Sequence, residues 1–179
     1  MALLALHREI RMKFELKHTF DAPVDVVTRE FMNPDLLPHL AANMPKTMVA
    51  IKPVERAEKD GKITRRTHYT PQPLIRSIGP KKITPEMMAW IEESSFDTAA
   101  RKMTFKNVPD SGRLRSLLVN EGTITFRDAG GKTERTVAGE LKVKVFLLGK
   151  LAEPIIYKNA QSILNDEAAA FATWLKDKK

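Results

Sequence analysis

The 179-residue chain has no cysteine, which excludes disulfides and thiol catalysis. Its four histidines, His7, His18, His39 and His68, show no close metal-ligand spacing with one another or with carboxylates. The eight glycines form neither a phosphate-binding loop nor a dinucleotide fingerprint, and no serine occupies a Gly-x-Ser-x-Gly elbow. No apolar run approaches the roughly 20 residues that a membrane-spanning helix needs. Basic residues outnumber acidic ones by 30 to 22, yet no run of five or more basic residues occurs. The excess therefore reads as solvated surface charge, and nucleic acid is not an expected partner. No catalytic residue, metal or cofactor is expected from motifs.

What is present is the pattern of a globular chain. An apolar content of 42% with mixed charge throughout argues against disorder and for one domain with a sizeable core. The opening Met1–Arg8 is too short in apolar residues, and lacks a basic residue ahead of them, for a signal peptide. Residues 1–11 read as a leader, residues 12–179 as a single domain, and the expected location is cytoplasmic.

Met12, Phe14, Leu16, His18 and Phe20 alternate with polar residues, as on a half-buried strand. Asp21-Ala-Pro23 breaks it, and Val24, Val27 and Phe31 space a short helix. Asn33-Pro34 predicts the cap and first position of a second helix carrying Leu36, Leu37 and Leu40. Strands are predicted at 47–57 and 62–70 around the hairpin signal Asp60-Gly61. Further strands are expected near 88–96, 102–108, 115–127 and 133–147, while residues 71–85, with four prolines, read as irregular. From Leu151, apolar residues recur in steps of three and four through Ile155, Ile156, Ala160, Ile163, Leu164, Ala168, Phe171 and Leu175. That is one stripe of a helix about 38 Å long, which needs a large apolar surface beneath it.

Strand, two short helices, six strands and a long helix is the order of an α+β fold. A curved antiparallel sheet of about seven strands would wrap the C-terminal helix. The sequence resembles the START and birch-pollen-allergen superfamily, the helix-grip or SRPBCC fold, over 12–179. The likeness rests on Lys13-Phe-Glu-Leu-Lys-His-Thr-Phe-Asp-Ala-Pro23-Val-Asp-Val-Val and on Leu141-Lys-Val-Lys-Val-Phe-Leu-Leu-Gly149-Lys-Leu-Ala-Glu153. The second stretch is similar to bacterial START-like proteins of unassigned function. A weaker likeness, to PRELI-type phospholipid transfer proteins, rests on Trp90-Ile-Glu-Glu-Ser, Asn107 and Glu121. The resemblance implies a cavity between sheet and helix that holds an apolar small molecule, often a lipid, which members bind, carry or convert.

On that implication Trp90, Phe105, Leu118, Ile124, Leu141, Ile156 and Ile163 are expected to line the cavity; without it they are ordinary core. His18, in phase with Phe14 and Phe20, is a candidate polar ligand contact, or a histidine satisfied by a neighbour. Arg65, in phase with Ile63, Thr67 and Tyr69, would grip an anionic head group if it points inward, and is solvated if it does not. Asn120 shares a face with Leu118, Ile124 and Phe126 and is a candidate polar anchor. Adjacent Glu92 and Glu93 point to opposite faces and cannot act as a carboxylate pair by themselves; a sheet-edge position is expected for them. The alternative is an interior position for one, where desolvation would raise its pKa. In Pro73–Pro85, Leu74, Ile75 and Ile78 interleave with Arg76, Lys81 and Lys82, a pattern that suits contact with an anionic membrane. Its alternative is a proline-stiffened connection capping the core.

The leading function from sequence is thus binding of an apolar small molecule between sheet and C-terminal helix, with a lipid as the favoured ligand and its carriage between membranes as an extension. One alternative is a cyclase or aromatase in which His18, Arg65, Tyr69 and Asn120 converge. Another is a protein-interaction module.

Overall fold

The alternation along the first strand reappears as alternating burial. Phe14 and Phe20 are buried, Met12, Leu16 and His18 half-buried, and Lys13, Glu15, Lys17 and Thr19 exposed. The computed structural model describes residues 9–73, 76–78, 80–116, 118–144 and 149–178. Strand β1 spans Glu9–Phe20, so it takes in three residues that the sequence assigned to the leader. Helix α1 (Val24–Phe31) buries Val24, Val27 and Phe31. Helix α2 begins later than predicted, at Leu36, and runs to Asn43. Asn33 does not cap it, because its side-chain oxygen accepts the Asp35 N–H at 3.0 Å and closes a local turn instead.

Strands β2 (Met48–Lys59) and β3 (Lys62–Pro71) meet at Asp60-Gly61. Both turn residues have positive φ, 51° and 73°, as a two-residue hairpin with the right twist requires. The proline-rich stretch contains a small ladder of β4 (Ser77–Ile78) with β5 (Lys81–Lys82). Pro85 then opens a 3-10 turn to Met88, so β6 starts only at Trp90 and ends at Asp97. After β7 (Lys102–Pro109), a single helical turn, α3 (Gly112–Arg115), delays β8 to Leu118–Asp128. Strand β9 (Thr133–Lys144) and helix α4 (Gly149–Leu175) complete the chain.

The seven long strands form one curved antiparallel sheet in the order β1-β9-β8-β7-β6-β3-β2. β6 lies inside it, which corrects the sheet-edge position expected for Glu92 and Glu93. Helix α4, 27 residues and hence about 40 Å long, lies across the inner face. Its second half is anchored by Phe171, fully buried, with ring centroids 5.0 Å from Phe20 and 5.6 Å from Phe31. Burying one such ring stabilises the fold by roughly 2–3 kcal/mol. Phe126, Met103, Phe96 and Val137 extend this core across the sheet, and α2 closes it by packing on β2 and α4.

Candidate functional site

Strand register turns the inner face into rows of side chains. One row runs Thr67, Glu92, Asn107, Asn120, Leu141, Met12 across six strands. The next runs Arg65, Ser94, Phe105, Gly122, Gly139, Phe14. A third, Ile63, Phe96, Met103, Ile124, Val137, Leu16, is wholly apolar and belongs to the core. Neighbours in such a row have Cβ atoms about 5 Å apart. The inner face is therefore greasy toward Phe20 and Phe171 and polar toward Trp90 and Asn120.

The paired Gly122 and Gly139 mark the boundary. A Cβ at Gly122 would run into the Ala138 carbonyl and lie 2.9 Å from the Phe105 ring; one at Gly139 would lie 2.7 Å from the Phe14 ring. The missing side chains let both rings lie against bare backbone. Phe14 and Phe105 thus form an aromatic floor between core and polar row.

Above that floor, Arg65 is 8% exposed. Its Nη1 donates to the Phe31 carbonyl at 3.3 Å, its guanidinium lies 5.6 Å from the Phe31 ring, and Nη2 is 3.9 Å from Glu92 Oε1. Burial raises the Glu92 carboxyl above its ordinary range, with Arg65 opposing and Glu167 of α4 reinforcing the shift. Tyr69 stacks on Trp90 at 5.3 Å and 9°. Burial also pushes its phenol well up, helped by the Glu92 charge, so it is a hydrogen-bonding group and not a phenolate. Trp90 Nε1, Asn107 Oδ1 and Asn120 Oδ1 are buried without a hydrogen-bond partner among the described residues, as is Arg65 Nε, while the buried Ser94 hydroxyl faces Glu92 and opposes the rise of its pKa. Buried polar atoms are nearly always paired, so this concentration on adjacent strands stands out.

A second ionic group joins sheet to helix. Arg135 is fully buried, its Nη1 donating to Glu167 Oε1 at 2.9 Å and lying 2.7 Å from Oε2. Oε2 makes no well-aligned hydrogen bond, so the carboxylate is held mainly through Oε1. Arg135 Nη2 donates to His18 Nδ1 at 3.2 Å, and His18 Nε2 donates to Asn165 Oδ1 at 3.1 Å. Those roles fix the neutral tautomer with the proton on Nε2. Burial and the Arg135 charge lower the His18 pKa, against the Asn165 bond and Glu167.

The residues picked from sequence fall into three places. Arg65, Tyr69, Trp90, Phe105, Leu118, Asn120, Ile124 and Leu141 share the inner face, with Phe105 and Ile124 part of the contiguous core. His18 is elsewhere: it pairs with Arg135, six residues along β9 from the Leu141 that faces Asn120, or about 20 Å. His18, Arg65, Tyr69 and Asn120 therefore do not converge on one point. Ile163 is half-buried on α4, while the Ile156 side chain lies outside the described residues. Of the suggested membrane segment, Leu74 and Ile75 lie outside them, as do the side chains of Ile78 and Lys81; Arg76 and Lys82 are exposed.

Sequence reasoning missed Ser94, Arg135 and Glu167 and misplaced Glu92. A signal existed for Glu167, which sits three after Leu164 and four before Phe171 on the apolar stripe. Arg135 is likewise in phase with Val137 and Leu141. Among the described residues no three His, Cys, Asp or Glu gather as metal ligands, and no helix is long and apolar enough to cross a membrane.

Residues 15–175 match a family described as "Protein of unknown function (DUF2505)". No curated protein matches the sequence. Among solved structures the chain is similar to TTHA0849 from Thermus thermophilus, with 17% identity, a TM-score of 0.64, and coverage of 90% of this chain and 98% of that one. It is similar to norcoclaurine synthase from Thalictrum flavum, crystallised with dopamine and hydroxybenzaldehyde, at 16% identity and TM-score 0.65 over 100% and 94%. A Streptomyces aromatase/cyclase aligns at 15% identity and TM-score 0.58 over 90% and 94%. Their shared architecture is the helix-grip fold of the birch-pollen-allergen superfamily, as the order of elements had implied. The likeness to PRELI-type proteins finds no support in these matches.

Proposed function

We propose that this chain, which belongs to the DUF2505 family of proteins of unknown function, binds an apolar small molecule between its sheet and the first half of α4. The observation that carries this reading is the cluster of buried, unpaired polar atoms on Trp90, Asn107 and Asn120, on three adjacent strands beside an aromatic floor. β9 ends beside Leu118, and α4 starts five residues later. Five residues of chain keep the start of α4 within about 18 Å of this end of the sheet. Apolar walls with a few convergent polar groups are what small-molecule sites are made of. Trp90, Leu118, Asn120, Leu141, Arg65 and Tyr69 would contact the ligand. A lipid is the finer form of the proposal, with residues 74–82 meeting an anionic membrane during exchange.

Native mass spectrometry of protein purified without detergent, with organic extraction, tests it. A discrete co-purified mass supports the reading. An empty protein that binds nothing in a broad apolar panel sinks it.

A second reading, an enzyme acting on the same ligand, is favoured by one observation. A buried carboxyl of raised pKa, Glu92, faces the proposed space beside a guanidinium, as a general acid or base requires. Its test is chemical change of the extracted ligand on incubation with wild-type protein and none with Glu92→Gln.

A further inference from the structure

We infer that the ligand carries a neutral hydroxyl-type group, one that both donates and accepts hydrogen bonds, and that this group is received by Asn107 and Asn120; the inference rests on the ligand-binding reading above. Three observations lead there. First, the two amides face each other across β7 and β8, and each has a buried oxygen without a partner among the described residues. Their Cβ atoms lie about 5 Å apart as a directly opposed pair, and each amide oxygen calls for a donor. Second, the nearby unpaired indole Trp90 Nε1 offers a donor, the Ser94 hydroxyl being turned to Glu92, so the same ligand group must also accept. A hydroxyl, with one proton for one of the two amide oxygens and lone pairs that accept, donates and accepts at once, whereas a carboxylate or phosphate has no proton for either amide oxygen.

Third, most of the positive charge on this face is engaged, although Arg65 Nε is left unpaired. Arg135 is held by Glu167. Arg65 is turned to the Phe31 carbonyl and toward Glu92. Two guanidiniums face two carboxyls on the described inner surface, and His18 is neutral when it accepts from Arg135. An anionic head group would meet a balanced field plus two amide oxygens, and would leave those oxygens unpaired, which is costly in a buried site. This reverses the expectation, drawn from Arg65 alone, of an anionic head group.

The test compares three probes of nearly equal size, 2-naphthol, 2-naphthoate and 2-methylnaphthalene, by calorimetric titration of the wild-type protein. The Asn107 and Asn120 side-chain amide signals are followed by NMR. 2-Naphthol should bind at least about tenfold more tightly than either analogue, since a site built for a hydroxyl rejects its absence, and should move both amide signals. In Asn120→Leu that preference should shrink toward unity while 2-methylnaphthalene binds at least as well. Tighter binding of the naphthoate overturns the inference in favour of an anion site at Arg65. Equal binding of naphthol and methylnaphthalene, or amide signals that stay fixed, overturns it while leaving the apolar-ligand reading standing. Binding of none of the three overturns the inference, and the extraction experiment then decides the reading beneath it. Should Asn120→Leu fail to fold, Asn107→Leu and the wild-type probe ranking decide the matter.

Discussion

Arg135 and Glu167 join β9, the strand next to the β1 edge of the sheet, to the helix that lies across it, with Nη1 2.7 Å from Oε2 and the guanidinium wholly removed from water. The Arg135 guanidinium also lies 5.3 Å from the Phe20 ring and 5.7 Å from that of Phe31. Its apolar surroundings make the pair costly to break, because the surviving partner would be left as a buried charge. Glu167→Leu and Arg135→Met are each expected to destabilise the protein by about 3–5 kcal/mol, and the double variant carrying both by much less than their sum. Chemical denaturation of the four proteins in a double-mutant cycle measures this. Additive single effects would show that the two side chains do not act as a pair.

Glu92 makes stability depend on pH in a particular direction. Its folded pKa lies above the ordinary carboxylate value of 4.5, so between the two values the folded state binds more protons than the unfolded one. Stability then falls as pH rises from about 4.5 toward the raised value, and levels off beyond it. Glu92→Gln should remove that slope. Parallel urea titrations of both proteins across this range are the check, and identical profiles would refute the assignment.

Glu30 acts in the opposite sense at lower pH. It is buried at the end of α1, where Arg29, Asn33 and Trp174 donate to it at 3.1, 3.2 and 3.1 Å. Burial alone would raise its pKa, but these three donors outweigh it and the folded value lies below 4.5. The stability it contributes is present above pH 4.5 and is lost as pH falls through the lowered value. Glu30→Gln should cost about 1–2 kcal/mol at neutral pH, lose less on acidification, and alter Trp174 fluorescence. A variant as acid-sensitive as the wild type would contradict this account.

Gly122 is expected to tolerate no side chain. Alanine there would strike the Ala138 carbonyl and the Phe105 ring, so the strands must part or the floor must lift. A loss of about 3 kcal/mol is expected, measured by thermal or urea unfolding. A neutral effect would mean that the β8–β9 pair bends away easily.

Much of the architecture was legible in order along the chain. The alternation of Met12–Phe20, the Asp60-Gly61 turn and the stripe from Ile163 to Leu175 are local signals, and local periodicity survives folding because one face of each element must be buried. The site was legible only in part. Arg65, Tyr69, Trp90 and Asn120 announce themselves by being in phase with apolar neighbours. Glu92 does not, since its partner in register, Asn107, is fifteen positions away and the sheet order is not written in either strand. The α3 turn and the 3-10 turn after Pro85 shift strand starts by two or three residues, within the reach of Pro and Gly signals read less closely.

By itself the sequence determined the seven long strands, the two short helices after the first of them and the terminal helix, and which face of each is apolar, because those follow from spacing along one chain. It also determined that thiol chemistry is excluded. Tertiary structure alone decided that Thr67, Glu92, Asn107 and Asn120 form one continuous polar row, that Gly122 meets Gly139 beneath two phenylalanines, and that Arg135 finds Glu167. Those relations depend on strand order and register, which are set by how the whole sheet closes on the helix and have no counterpart in any single segment.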